Sequence, residues 1–263
     1  MTSHRPRKRF GQHFLRDRQV IDRIVAAIDP HSGDRMVEIG PGEGVLTGPL
    51  LEKAGQLEAV ELDRDLAAGL ARRLGKPPGL TIHQADALKF DFAGLAAGGA
   101  IRVVGNLPYN ISTPLIFHLL DQAESISDMV FMLQKEVVDR LVADPGSRQY
   151  GRLSVMAGCR CTMESLFDVG PEAFHPPPKV DSAIIRMLPR SLTDADRDVL
   201  PNLEKVVRQA FSLRRKTLRK SLSGLLTEDE IQAADIDPTR RPETLTLNQF
   251  KALAKSLPPN PDP

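Results

Sequence analysis

The sequence predicts an α/β fold, in which helices cover both faces of a mostly parallel sheet, joined to a small α-helical domain. Two observations predict it. Short apolar segments alternate with amphipathic helical segments through residues 1–189, and after the polar, irregular segment 189–198 only helical periodicity is found. We therefore expect a first domain at 1–189 and a second, helical domain at 190–263.

The elements of the first domain follow in order from apolar periodicity. Residues 17–28 place their apolar side chains on one helical face. Strands are predicted in chain order at 35–39, 57–62, 80–84, 101–105 and 128–133. Helices are predicted from residue 44 or 45 onward, at 64–74 and at 112–122. Because helical segments connect these strands, we expect the strands to be parallel and covered on both faces.

The second domain is expected to carry a basic helix. Residues 205–220 contain seven basic groups and no acidic group. In the helical pattern that contains this segment, Arg208, Arg215 and Arg219 lie on one face, and the apolar face is formed by Val207, Phe211, Leu218, Leu222 and Leu225. A second basic cluster lies within residues 1–19. Since the net charge of the chain is only +1, these two clusters predict a polyanion bound at defined places.

Composition excludes several classes of protein. A hydrophobic content of 41% with 26% charged residues predicts a folded core. The sequence has no stretch of about 18 apolar residues, so we expect no membrane span, and no apolar signal segment follows the basic N-terminus. Cys159 and Cys161 have no partner at metal-ligand spacing. We expect reduced thiols, no metal and a cytoplasmic location.

The first four predicted strands each end in glycine or a short polar side chain. These residues are Gly40, Gly42, Gly44, Glu61, Asp86 and Asn106. The carboxyl ends of parallel strands form the ligand crevice of such a sheet. Glycine lets the backbone approach a ligand, Glu61 is spaced to accept both ribose hydroxyls, and Asp86 can accept from an adenine amino group. The pattern predicts a nucleoside site.

The glycine turn distinguishes two nucleoside cofactors. In the dinucleotide motif G-x-G-x-x-G a third glycine would stand where this chain has Val45, which disfavours NAD. With Glu38 before it, the turn instead resembles the E-x-G-x-G-x-G motif of Rossmann-like class I methyltransferases. That resemblance implies S-adenosylmethionine, a sulfonium cation without phosphates, as the cofactor.

Four segments extend the resemblance to one family. Residues 105–109 (GNLPY) are similar to the N-L-P-Y motif of ribosomal RNA adenine dimethylases. The family's other motifs resemble 9–15 (RFGQHFL), 174–182 (FHPPPKVDS) and 211–222 (FSLRRKTLRKSL), in the same order. The resemblance implies dimethylation at N6 of two adjacent adenosines in the 3′-terminal hairpin of 16S rRNA, in the small ribosomal subunit or its precursor. It also implies a role in small-subunit biogenesis and a monomeric enzyme.

The resemblance implies roles for individual residues. The Asn106 side chain and the Leu107 carbonyl accept from N6, Pro108 stiffens the loop, and Tyr109 and Phe174 stack on the two faces of an extruded adenine. The expected cofactor contacts are Gln12, His13, Leu15, Gly40, Gly42, Glu61, Leu62, Asp86, Ala87 and Asn106. The expected RNA contacts are Arg208, Arg214, Arg215, Lys216 and Arg219.

Three alternatives stay open. The first is a 23S rRNA adenine methylase of the antibiotic-resistance type, against which the complete 174–182 and 211–222 segments argue. The second is a non-catalytic RNA-binding or transcription factor, against which the intact Asn106, Pro108 and Tyr109 argue. The third is an NAD-dependent dehydrogenase.

Overall fold

The computed structural model describes residues 13–213 and 215–258. These residues form two compact units. The first comprises Thr162–Pro189 and the described residues up to Val138, and the second comprises Asp139–Cys161 and the described residues from Arg190 onward.

The expected domain division therefore needs one correction, because Asp139–Cys161 belongs to the second unit. Within that unit, the Tyr150 hydroxyl donates to the Leu245 carbonyl at 2.8 Å, and Arg152 pairs with Glu204 at 3.0 Å. Contacts between residues so far apart along the chain leave no signal in local periodicity, so a division at a single point could not find them.

A seven-stranded sheet forms the frame of the first unit. In chain order, the nine strands are β1 (Phe14–Leu15), β2 (Met36–Ile39), β3 (Leu57–Glu61), β4 (Leu80–Gln84), β5 (Ile101–Asn106), β6 (Ile126–Gln134), β7 (Cys161–Val169), β8 (Phe174–His175) and β9 (Ser182–Pro189). The sheet order is β4-β3-β2-β5-β6-β9-β7. β2 to β6 pair in parallel, β9 pairs antiparallel with β6, and β1 and β8 form a separate antiparallel pair.

The helices are α1 (Arg18–Ile28), α2 (Thr47–Ala54), α3 (Arg64–Arg73), α4 (Phe92–Ala96), α5 (Ser112–Asp121), α6 (Lys135–Leu141), α7 (Arg152–Gly158), α8 (Asp194–Ser212), α9 (Leu218–Ser221), α10 (Glu228–Ala233) and α11 (Leu247–Lys255). Residue chemistry fixes several of their ends. Asp17 caps α1 by accepting from two backbone N–H groups, and Asp63 caps α3 in the same way from one.

The core of the first unit lies around the parallel strands. These strands carry nearly continuous apolar runs because helices cover both faces of the sheet. Their fully buried side chains include Val103, Met129, Phe131 and Leu133. The packing holds the carboxyl ends of β2 to β5 in a fixed row, which positions the site described below.

The five predicted strands are present, with ends shifted by at most two residues. β7 and β9, as well as the β1–β8 pair, escaped prediction. β7 is largely exposed along its length, so it lacks the apolar run of a buried strand. β9 follows the Pro176-Pro177-Pro178 segment, where helix and strand signals are weak.

The second unit is helical, but its basic segment is not one helix. α8 ends at Ser212 and α9 begins at Leu218, so the predicted continuous helix over 205–220 is wrong. Tertiary backbone bonds explain the break: the Leu218 N–H donates to the Arg240 carbonyl at 2.8 Å, which an uninterrupted α-helix would not allow. The predicted linker over 189–198 is also shorter than expected, because Thr193 forms a capping box with Asp196 and starts α8.

No helix within residues 13–213 and 215–258 is long and apolar enough to cross a bilayer. The same part of the chain contains no group of three or more His, Cys, Asp and Glu side chains placed to hold a metal ion.

Candidate active site

A cleft opens at the carboxyl ends of β2 to β5. Its empty volume, including the part open to solvent, is about 1200 Å³. It is lined by all the predicted cofactor contacts that the structure describes, namely His13, Leu15, Gly40, Gly42, Glu61, Leu62, Asp86, Ala87 and Asn106. Leu107, Pro108 and Tyr109 line the same cleft. Gln12 lies outside the described residues.

The glycine turn after β2 forms one wall of the cleft. Gly42 has φ +57°, a conformation that favours glycine, and a Cβ there would contact the Phe14 ring at 3.4 Å. The Gly42 N–H donates to Glu61 Oε2 at 3.2 Å. The turn after β2 is thereby joined to the end of β3.

Glu61 is held in place from two sides. Its Oε2 accepts from Gly42, and its Oε1 accepts from the Asp63 N–H at 2.9 Å. The side chain is 7% exposed, and burial raises the pKa of this carboxyl, while the two backbone hydrogen bonds act in the opposite direction. The carboxyl group therefore has a fixed orientation at the edge where a ribose is expected.

Glu38 is a second buried carboxyl on the cleft wall. It is 2% exposed, and its Oε2 has no hydrogen-bond partner in the described part of the chain. Burial raises the pKa of Glu38 to about 7, and the charge of the neighbouring Glu61 acts in the same direction. An unsatisfied buried carboxylate oxygen is costly unless a ligand completes it.

Asp86 and its neighbours follow β4. Asp86 Oδ1 accepts from the Leu88 N–H at 3.0 Å, which fixes the side chain at the strand end. Ala87 is buried, whereas Leu62, after β3, is 50% exposed although it is a large apolar residue. An apolar side chain exposed in a cleft can cover the face of a flat ring.

The β1–β8 pair brings the start of the described chain to the cleft. Leu15 pairs with Phe174, and the Arg16 N–H donates to the Ala173 carbonyl at 2.8 Å. His13 Nδ1 donates to the Pro176 carbonyl at 2.8 Å. The His13 ring stands 6.0 Å from the Tyr109 ring, with 26° between the planes.

The loop after β5 is fixed at several points. The Leu107 N–H donates to the Met132 carbonyl at 3.1 Å, and the Ile111 N–H donates to the Pro108 carbonyl at 3.1 Å. Asn106 Nδ2 donates to the His13 carbonyl over 3.4 Å, which leaves the amide oxygen as the accepting end of this side chain. Burial raises the pKa of Tyr109, whose hydroxyl bonds to Ser182.

Phe174 does not lie where the sequence suggested. Its side chain is 4% exposed and packs in the hydrophobic core with Leu15 and Val169, and it is not part of the cleft lining. The pairing of β8 with β1 places it there, and that pairing joins segments 159 residues apart, which local patterns do not report. The structure therefore does not place Phe174 in the cleft lining, and its role as the second stacking face stays a prediction.

Four site-supporting residues went unnoticed at the sequence level. Arg73 Nη2 donates to the Gly42 carbonyl at 2.9 Å, and Arg16 pairs with Glu43 of the glycine turn at 2.6 Å. Ser182 bonds to Tyr109. None of these contacts is local, so only the motif position of Ser182 in the 174–182 segment could have drawn attention to it.

The predicted RNA contacts lie in the second unit. Arg208 is exposed on α8, Arg215 and Lys216 are exposed between α8 and α9, and Arg219 is exposed on α9. Arg214 lies outside the described residues.

The charged side chains that line the cleft indicate which cofactor it can bind. Within the described chain, the lining has no lysine or arginine but has five acidic side chains: Glu38, Glu43, Glu61, Asp63 and Asp86. An acidic nucleoside cleft with an unsatisfied carboxylate oxygen fits a cationic, phosphate-free nucleoside, and it offers no side-chain cation to a pyrophosphate. S-adenosylmethionine meets this description and NAD does not.

A sheet of this order, with one antiparallel strand beside β6 and a glycine-lined acidic cleft at its carboxyl edge, defines a class I methyltransferase. Comparisons with known proteins identify the family within this class. Residues 3–258 match the family described as ribosomal RNA adenine dimethylase. The chain belongs to this family, whose enzymes use S-adenosylmethionine as methyl donor.

Full-length relatives agree. Ribosomal RNA small subunit methyltransferase A of Methylococcus capsulatus is 57% identical over 256 residues, which are 97% of this chain and 99% of that relative. A dimethyladenosine transferase from Plasmodium falciparum has a TM-score of 0.77 at 27% identity, covering 92% of this chain and 96% of that one. The 23S rRNA methyltransferase ErmE has a TM-score of 0.73 at 28% identity, covering 93% and 99%. The predicted fold class, family, enzyme class and cofactor are confirmed.

Proposed function

We propose that the chain transfers methyl groups from S-adenosylmethionine to N6 of two adjacent adenosines in the 3′-terminal hairpin of 16S rRNA, dimethylating each. The observation that carries the chemistry is that the Asn106–Tyr109 loop lines the same cleft as Glu61 and Asp86. The small-subunit substrate is supported by the relative named ribosomal RNA small subunit methyltransferase A. On this reading the enzyme is cytoplasmic and monomeric and takes part in small-subunit biogenesis.

The donor half of the cleft binds and orients the cofactor. Bound S-adenosylmethionine supplies an electrophilic methyl group on a sulfonium centre. Glu61 accepts the ribose hydroxyls and Asp86 accepts the adenine amino group, while Leu62 and Ala87 contact the adenine faces. Gly40 and Gly42 let the backbone come close. His13 and Leu15 close the cleft over the donor.

The acceptor half makes the adenine amine reactive. The N6 lone pair is delocalised into the purine ring, so the free amine is a weak nucleophile. Asn106 Oδ1 and the Leu107 carbonyl accept from N6–H and hold the lone pair toward the methyl group. As positive charge develops on nitrogen, both hydrogen bonds strengthen, and this lowers the barrier. The methylated nitrogen then loses its proton to water, so no strong base is needed.

Tyr109 binds the target base by stacking. An adenine must leave its RNA stack to enter the cleft, and an aromatic face compensates roughly 1–3 kcal/mol per base. Pro108 restricts the backbone before this ring. The second face of the base is not assigned to Phe174, because that side chain is buried in the core.

The second unit binds RNA. Its exposed Arg208, Arg215, Lys216 and Arg219 are suited to phosphate contacts, which supply affinity but little sequence information. The first unit then performs the chemistry, and the second positions the substrate.

The similarity to ErmE makes a 23S rRNA substrate the second candidate. Tritiated methyl incorporation into undermethylated small and large subunits, followed by nucleoside analysis, separates the two. We expect N6,N6-dimethyladenosine in 16S rRNA alone. Label confined to 23S rRNA would assign the chain to the other substrate, and no label in either would contradict catalysis.

A further inference from the structure

Tyr109 is bonded at the far end of its ring. Its hydroxyl lies 2.7 Å from Ser182 Oγ, and Ser182, the first residue of β9, is fully buried. Tyr109 itself is half-buried and lines the cleft. The contact joins the loop after β5 to a strand 73 residues further along the chain.

Ser182 belongs to a rigid part of the sheet. It pairs with Gln134 at the end of β6, and the Lys135 N–H donates to the Asp181 carbonyl at 2.9 Å. A serine with both neighbours held by backbone bonds offers its hydroxyl from a fixed position. A short bond to such an anchor restrains whatever it bonds to.

The other end of the Tyr109 residue is also held. Ser112 Oγ donates to the Tyr109 carbonyl at 3.3 Å, and the loop is fixed at Leu107 through the Met132 carbonyl. With the backbone fixed, the ring can still swing about χ1. The phenol oxygen lies on the ring axis, so a bond there fixes the direction of that axis. The His13 ring lies beside it, with the ring centroids 6.0 Å apart.

We propose that Ser182 is a positioning residue, whose hydroxyl holds the Tyr109 ring in the orientation on which the target adenine stacks. The inference rests on the proposed function of Tyr109. Ser182 touches neither the base nor the methyl donor and acts only through the phenol. A ring freed from this anchor loses order, and the base must restore that order when it binds.

Removal of the anchor should lower kcat/KM for undermethylated small subunits by roughly three- to tenfold, the effect of one neutral hydrogen bond. Ser182→Ala and Tyr109→Phe each remove the bond and keep the ring. If Ser182 acts through the phenol, the double variant loses no more than either single variant. Additive losses would overturn the proposal, as would full activity of Ser182→Ala.

A spectroscopic readout reports the bond itself. The chain has two tyrosines and no tryptophan, so in a Tyr150→Phe background the ultraviolet titration follows Tyr109 alone. The Ser182 hydrogen bond lowers the pKa of Tyr109, so Ser182→Ala should move the titration to higher pH. Ser154→Ala, which removes a buried hydroxyl from the second unit, is the matched control and should leave the titration in place. An unchanged Tyr109 titration in Ser182→Ala would overturn the proposal.

Failure of this proposal can be told from failure of the proposed function. If Tyr109→Ala is inactive while Tyr109→Phe and Ser182→Ala have full activity, the ring matters and the anchor does not. If Tyr109→Ala keeps full activity, the stacking role of Tyr109 is itself wrong.

Discussion

At the scale of single residues, the nitrogen and the oxygen of the Asn106 amide are available for different interactions. Its nitrogen bonds to the His13 carbonyl, and its oxygen is the end that can accept from an adenine amine. One side chain thereby connects the segment at His13 with the loop after β5.

Asn106→Ala should reduce methyl transfer by at least a hundredfold while cofactor binding stays measurable, because the lost hydrogen bond strengthens only as charge develops. Single-turnover methylation and calorimetric binding of S-adenosylmethionine measure the two effects. Asn248→Ala removes an exposed amide from α11, outside the cleft lining, and serves as the control. Wild-type rates in Asn106→Ala would remove this residue from the mechanism.

Glu38 makes stability depend on pH. Its folded-state pKa of about 7 lies above the ordinary value of 4.5, so the folded protein binds this proton more tightly than the unfolded chain does. The resulting stabilisation, about 3 kcal/mol, is complete below pH ~4.5 and is lost as the pH rises through about 7.

Glu38→Gln should remove the loss of stability that the wild type shows as the pH rises through about 7. Denaturant unfolding of the ligand-free protein at pH 5 and pH 8 compares the variant with the wild type. From pH 5 to pH 8, the free energy of unfolding of the wild type should fall by about 3 kcal/mol more than that of the variant. Parallel pH dependence in both proteins would mean that Glu38 does not titrate in this range.

Residues differ in how far the sequence could reveal them. Glu61, Asp86 and Asn106 were identifiable because a strand end in a parallel sheet has a known place. Arg73 was not, because its contact with Gly42 joins distant segments. Ser182 belongs to the 174–182 segment, but its contact with Tyr109 could not be predicted from the sequence.

At the scale of elements, the break between α8 and α9 changes how the basic segment presents its charge. Arg215 and Lys216 lie in a turn between α8 and α9, and not on a helix face. Periodicity predicted the helix because its apolar residues recur at helical spacing on both sides of the break. The backbone bonds to Pro238 and Arg240 that favour the break are invisible to periodicity.

Neutralising this turn should weaken RNA binding without weakening cofactor binding. For Arg215→Gln, Lys216→Gln and Arg219→Gln combined, we expect affinity for small-subunit RNA to fall and the slope of log K against log[salt] to decrease by about two to three. Filter binding over a salt series measures both quantities.

Lys53, Arg72 and Lys76 provide the matched control, because they are exposed basic residues of the first unit. The same triple change there should leave the salt slope as it is in the wild type. If both triple variants lose RNA affinity equally, the effect reflects total charge and not a defined surface.

At the scale of the whole molecule, the choice of cofactor is a question of charge. S-adenosylmethionine at 100 times its Kd should stabilise the protein by about 2.7 kcal/mol, whereas NAD at the same concentration should leave the melting temperature unchanged. Thermal unfolding with each ligand tests this. Equal stabilisation by both ligands would mean that the acidic lining does not discriminate between S-adenosylmethionine and NAD.

The overall α/β class and the separate helical part could be predicted from periodicity alone. The discontinuous second unit could not, because Asp139–Cys161 joins it through contacts such as Tyr150 with Leu245. The antiparallel strand β9 was missed for a related reason. It pairs with β6, a distant segment, and the sequence of β9 alone does not indicate that partner.

The acidic lining has a consequence for the substrate as well as for the donor. A polynucleotide carries a negative charge on every phosphate, and the ionised carboxylates of the lining repel that chain at close range. Glu38, with a pKa of about 7, and Glu43, which pairs with Arg16, contribute less to this repulsion than the other acidic side chains. An uncharged purine meets no such barrier. We therefore expect the cleft to admit a single flipped base more readily than its sugar–phosphate backbone.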